Sequence, residues 1–151
     1  MIALIQRVRY SRLSIDSELH SAIGPGLLIL LGVSTEDEDR QARWLASKIA
    51  GLRIFSDQDG KMNLDVKAAG GELMVVSQFT LLADASQGNR PSYTAAARPE
   101  RAIPLYEAFV QYLGEASGKE IKTGVFGADM QIELCNDGPV TIHLNTALLM
   151  K

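Results

Sequence analysis

The sequence predicts an α+β fold, mainly an antiparallel sheet or a partly closed β-barrel with two main helices, on three observations. Strand-like alternation recurs near both ends of the chain, at Ile2 to Val8, Met130 to Leu134 and Val140 to Leu144. An unbroken apolar run, Leu27 to Leu31, lies between Gly26 and Gly32 and has no polar face, which suits a strand covered on both sides at the centre of a sheet. Two stretches, Ala42 to Leu52 and Leu105 to Leu113, repeat apolar residues at helical spacing. A chain of 151 residues with 46% hydrophobic content is sized for one domain, residues 1–151.

Taken in order, Ile2, Leu4, Gln6 and Val8 alternate with Ala3, Ile5, Arg7 and Arg9, giving an opening strand that continues toward Ile15 after a polar break around Tyr10 to Arg12. Leu19 to Ile23, Gly24-Pro25-Gly26 and Leu27 to Val33 read as strand, turn and strand. Thr35 with Glu38 fits a capping box, and Glu36-Asp37-Glu38-Asp39 suits the positive end of a helix whose apolar face is Ala42, Leu45, Ala46, Ile49 and Leu52 and which ends near Gly51. Asp57-Gln58-Asp59-Gly60 is a turn rather than a calcium loop, since the remaining ligand positions are absent. Glu72 to Phe79 is a strand that delivers Ser77-Gln78-Phe79-Thr80 at its end, and Gln87 to Pro91 is a loop. Pro99 opens a helix of roughly Glu100 to Glu115, in which Pro104 either kinks the first turns or marks the start of regular helix. Gly114 and Gly118 end it, Ile121 to Thr123 is a short strand, and two final strands meet at Asn136 to Thr141.

Composition narrows the function classes. A single cysteine, Cys135, excludes an internal disulfide and a multi-cysteine zinc site, and the two histidines, His20 and His143, are not in metal-ligand spacing. No metal and no cofactor are expected. The same shortage works against Ser-His-Asp or Cys-His catalysis. A formal charge of −3 argues against coating nucleic acid by bulk electrostatics, although Arg7, Arg9 and Arg12 cluster near the start and Lys61, Lys67, Arg90, Arg98 and Arg101 follow. No apolar run reaches the length of a membrane span and the start of the chain lacks the pattern of a secretory signal, so a cytoplasmic location without membrane contact is the expectation.

Two segments are candidates for chemistry. Ser77-Gln78-Phe79-Thr80-Leu81 places two hydroxyls and a carboxamide where a buried strand emerges, a common address for a site, though Ser and Thr there also serve merely to satisfy nearby backbone. Asn136-Asp137-Gly138-Pro139-Val140-Thr141 reads by itself as a hairpin turn.

Together, in this order and about 60 residues apart, they resemble the two signature motifs of the D-aminoacyl-tRNA deacylases. The likeness extends to Met1 to Val8, to Arg53 to Asp57 with Lys61 to Leu64, and to Gly127 to Met130. The Arg98-Pro99 helix entry with Pro104, and the tail from Thr146 to Lys151, depart from it. The resemblance implies a homodimeric hydrolase, with active sites at the interface, that cuts the ester joining a D-amino acid or glycine to the 3′ end of tRNA. It also implies that Gly138-Pro139 is a cis peptide whose carbonyl oxygens enter the partner subunit's site and exclude L-substituents. Ser77, Gln78 and Thr80 then position water and substrate, N–H groups near Phe79 and Thr80 hold the oxyanion, and Phe79 and Met130 wall the pocket. Without a His or Lys to activate it, Thr80 is a poor nucleophile. A non-catalytic dimeric RNA- or ligand-binding module, or an esterase for another small acyl ester, are the competing readings.

Overall fold

The computed structural model describes residues 1–150. Its sheet is organised by β1 (Ile2–Ile15), which is antiparallel to partners on both sides. On one side β2 (Glu18–Ile23) and β3 (Gly26–Gly32) lie end to end along it: Ser11 faces Ile23, Val8 faces Gly26, and Ile2 faces Gly32. The chain reverses at Asp16-Ser17, both with positive φ (51° and 66°), as a two-residue hairpin turn requires. Gly24-Pro25 is therefore an interruption in one edge-to-edge line, and the expected turn between neighbouring strands is not there. Nor is β1 broken at Tyr10 to Arg12; the strand runs through that polar stretch because partners on both sides hold it.

On the other side of β1 lies β8 (Met130–Asn145), one strand where two were expected. Its first half pairs from Met130 opposite Ile15 to Asn136 opposite Val8, and its second from Thr141 opposite Gln6 to Asn145 opposite Ile2. Residues 137–140 bulge out opposite Arg7. Both halves match one long partner, so they have no need to pair with each other. The irregularity also switches faces, as an out-of-step insertion must. Met130 and Ile132 pack with Val8, Leu13, Leu28, Met74 and Val76 inside the barrel, whereas Val140, Ile142 and Leu144 pack on the helical side.

Beyond β3 the sheet is parallel: β3 pairs β6 (Glu72–Ser77), and β6 pairs β7 (Ile121–Thr123). The result is a mixed sheet, because parallel neighbours need crossovers, supplied here by the two main helices. Ser21 Oγ on β2 donates to the Thr123 carbonyl on β7 at 2.9 Å, bringing the far edge round to close the barrel in part. A small hairpin, β4 (Phe55–Ser56) with β5 (Met62–Leu64), stands apart. Its turn is held by Asp57 Oδ1, which accepts from the N–H groups of Asp59 and Lys61.

Helix α1 (Asp39–Ala50) begins later than Thr35, with Glu38 as N-cap and Gln41 Oε1 accepting from the Glu38 N–H at 2.9 Å. The acidic run is only partly helix chemistry. Asp37 is 3% exposed; its Oδ1 accepts from the Met1 ammonium at 2.5 Å and its Oδ2 from the Ser34 N–H at 2.7 Å. The ammonium also donates to Thr146 Oγ1 at 2.8 Å, at the start of the short α3 (Thr146–Leu149). Asp37→Asn leaves a buried cation without its counter-charge, so unfolding free energy in urea should fall by about 3–5 kcal/mol. An unchanged midpoint would show that the pair contributes nothing.

Helix α2 (Pro99–Ser117) ends at Gly118, whose φ of 68° forms a left-handed cap. Pro104 lies inside it on the exposed side and neither starts nor ends it. Phe109 and Leu113 are fully buried against α1 and the sheet with Leu45, Ile49, Ile5 and Ile29. Among the described residues, no helix is long and apolar enough to cross a membrane.

Candidate active site at the end of β6

The parallel strands β3 and β6 end together, Leu31 opposite Ser77, and the Gln78 N–H donates to the Leu31 carbonyl at 2.7 Å. The strand stops at Ser77 instead of running to Phe79, because Phe79–Leu82 turns into a short 3₁₀ helix. A cavity of about 290 Å³ opens beside this break. Its walls are Leu31, Val33 and Val76 from the strand ends, Ser77, Gln78 and Phe79, Ala102 and Tyr106 from α2, and the segment from Phe126 to Met130 with Ile132. Four of the sequence-predicted residues, Ser77, Gln78, Phe79 and Met130, thus share one pocket.

Thr80 does not line it; the hydroxyl accepts a hydrogen bond from Gln78 Nε2 at 2.5 Å on the exposed flank. Among the described residues, the N–H groups of Phe79 and Thr80 have no acceptor, as expected at the start of a helix. Phe79 is 54% exposed and meets Tyr93 edge to face, with ring centroids 5.1 Å apart. Met130 fits because Gly124 faces its sulfur, where a Cβ would collide with it and with Leu13.

Tyr106 is a pocket residue that the apolar spacing of Leu105, Phe109 and Leu113 did not single out. Its hydroxyl donates to the Val75 carbonyl at 2.9 Å, its ring meets Phe126 edge to face at 6.1 Å, and burial pushes the phenol up to about 12. Because the folded state holds the neutral phenol, its contribution is complete below pH 10, near the unfolded value, and is lost as pH rises toward 12. Between those limits the wild type should lose on the order of 2 kcal/mol more than Tyr106→Phe, read from denaturation curves at pH 9 and pH 11.5. Parallel losses in the two proteins would contradict this.

Gly138 and Pro139 lie elsewhere, exposed on the β8 bulge, joined by a cis peptide bond. Arg7 holds this bulge from beneath: Nε donates to the Asp137 carbonyl at 3.1 Å and the guanidinium also donates to the Ile54 carbonyl at 2.7 Å. Its side chain is 12% exposed, so of the clustered Arg7, Arg9 and Arg12 it is the one turned away from solvent. Arg9 reaches the Asp137 carboxylate at 3.6 Å from the exposed side. Above, Asn136 and Thr141 are tied to Gln6. Sequence reasoning missed Gln6, Arg7, Ala102, Tyr106 and Phe126 as site-forming residues, for each is an ordinary strand, helix or loop residue until the topology unites them. His20 and His143 are exposed, and among the described residues no His or Lys lines the pocket. Among the described residues, no three His, Cys, Asp or Glu side chains are grouped as a metal site.

The family model described as D-Tyr-tRNA(Tyr) deacylase matches residues 4–145. A protein of Cytophaga hutchinsonii named D-aminoacyl-tRNA deacylase is 54% identical over 146 residues, 97% of each chain. One of Shewanella loihica with the same name is 54% identical over 144 residues, 95% of this chain and 99% of that one. Among solved structures, the c-Myc DNA unwinding element binding protein superposes with a TM-score of 0.90 at 39% identity, covering 96% of this chain and 98% of that one. A probable eukaryotic D-amino acid tRNA deacylase shares the fold, with a TM-score of 0.80 at 13% identity over 95% and 97% of the two chains.

Proposed function

The chain belongs to the D-Tyr-tRNA(Tyr) deacylase family, and from that premise we propose that it hydrolyses D-aminoacyl-tRNA, and glycyl-tRNA formed in error, as a proofreading step of translation in the cytoplasm. The observation that carries this is the pocket at the end of β6, in which Ser77, Gln78 and Phe79 of the first motif meet Met130, beside two N–H groups without acceptors.

The chemistry needs few side chains. A water oxygen bonds to the ester carbonyl carbon, and the N–H groups of Phe79 and Thr80 receive the developing oxyanion. The bond to the ribose 3′ oxygen then breaks, and that oxygen leaves with a proton. The substrate's neighbouring 2′-hydroxyl assists the water, which also explains how an acidic protein selects an RNA end. Gln78 positions the water and the ester, and Thr80 acts through it by accepting a hydrogen bond from its amide.

Chirality falls to the backbone. An enzyme for every D-side chain cannot grip the side chain, so it must deny room to the L-substituent. In our reading the Gly138-Pro139 segment of one subunit of a homodimer enters the pocket of the other and fills that room. Its exposure on the bulge, away from its own subunit's pocket, supports an action in trans.

Amino acid release from D-tyrosyl-tRNA, with chelator present, tests the activity. Release is expected with the chelator; its absence would favour a non-catalytic RNA-binding module. Cleavage of the free aminoacyl ester at the same rate as the tRNA ester would point to a general esterase. Thr80→Ala should retain activity within about tenfold of wild type, the scale of one lost positioning hydrogen bond. A loss beyond about 10⁴-fold would instead indicate an acyl-threonine intermediate.

A further inference from the structure

We propose that Gln6 is a positioning residue for the Gly138-Pro139 segment, clamping the two ends of its bulge together through one side-chain carbonyl oxygen. The proposal rests on the reading of that segment as the chiral filter. In β1 and β8, ladder pairing lapses between Asn136 opposite Val8 and Thr141 opposite Gln6. Across this gap Gln6 Oε1 accepts from Asn136 Nδ2 at 2.9 Å and from Thr141 Oγ1 at 2.5 Å. Asn136 Nδ2 also reaches Thr141 Oγ1 at 3.2 Å, and Asn136 Oδ1 accepts from the Val140 N–H at 3.4 Å. These bonds orient the Asn136 amide without ambiguity, because one end must donate to two oxygens and the other must accept from a backbone N–H.

The bulge is thus closed at its mouth by Gln6 and supported from below by Arg7, which donates to the Asp137 carbonyl. A segment that must exclude a substituent by its position gains nothing from being near the right place on average. Movement of about 1 Å is enough to change a reacting geometry substantially. Gln6 touches neither the pocket lining nor the Gly138-Pro139 bond itself in these contacts, so it acts through the two residues that flank the segment.

The test compares Gln6→Leu, which keeps the size and removes the acceptor, with Gln6→Glu, which keeps an oxygen able to accept both bonds. Single-turnover rates on D- and L-tyrosyl-tRNA are measured beside the thermal midpoint. Gln6→Leu should lower the D over L rate ratio by about tenfold or more, the scale of one to two lost hydrogen bonds. Gln6→Glu should keep the ratio within about threefold of wild type, a rescue that a purely structural role would not show in the ratio. If Gln6→Leu does not fold, Thr141→Val removes one of the bonds and takes its place, with the same direction of change. An unchanged ratio in a folded acceptor-less variant overturns the proposal, as does an equal loss in Gln6→Glu. Failure of the underlying reading looks different: the wild type would itself lack a D over L preference, or Gly138→Ala would keep it.

Discussion

Gly138→Ala should lower turnover of D-tyrosyl-tRNA by about 100-fold and remove most of the preference for the D-ester. The cause is local and steric. Gly138 has φ of 123°, a conformation that L-residues rarely adopt. A Cβ there would stand 2.8 Å from an Arg7 guanidinium nitrogen and 3.0 Å from Val140 Cγ2. Arg7 cannot swing aside cheaply, since it is largely buried and donates to the carbonyls of Asp137 and Ile54. The bulge must therefore move, and with it the backbone that we propose to carry chiral rejection. Overall stability should change less, because the strained residue lies on an exposed bulge outside the ladder. Kinetics like those of wild type would show that the segment is only a connection between the two halves of β8.

Gly26→Ala should destabilise the fold by about 4 kcal/mol or more, in the range reserved for severe core lesions. Gly26 pairs with Val8 of β1 and Glu72 of β6 at the junction of the antiparallel and parallel parts of the sheet. Its added Cβ would overlap the Glu72 carbonyl oxygen and lie 2.6 Å from the Glu72 amide nitrogen. Backbone cannot rotate away as a side chain can, so β3 and β6 would have to separate where their pairing begins. Equilibrium unfolding in urea reads this directly; a loss below about 1 kcal/mol would mean that the two strands can part without cost. The contrast between the two glycines is useful. One substitution should damage selectivity in a folded protein, and the other should damage folding itself.

Alternation and helical spacing made most of the elements legible: β3 buried on both faces, both main helices, the loop around Gly88 and the short β7 all lie where the residues imply. What the residues could not express was pairing. Gly24-Pro25-Gly26 and Gly138-Pro139 carry the same local turn chemistry, yet neither reverses the chain, since β1 is long enough to hold the strands before and after each of them. The actual reversal, Asp16-Ser17, has no glycine to announce it. Asp37 shows a second limit. Its place in an acidic run suited a helix dipole, but the buried Met1 ammonium at the start of β1 competes more strongly for it. At the pocket, Ser77, Gln78, Phe79 and Met130 were legible because strand ends and family motifs are local. Tyr106, Arg7 and Gln6 were not, because their roles arise from contacts spanning 31, 130 and 135 residues.

The central claim is that the site distinguishes the two hands of an amino acid without recognising its side chain. Single-turnover hydrolysis of D- and L-tyrosyl esters on the same tRNA, by the same protein sample with enzyme in excess, measures it most directly. The D-ester should be cut at least about 100-fold faster. Rates within about threefold of one another would contradict it.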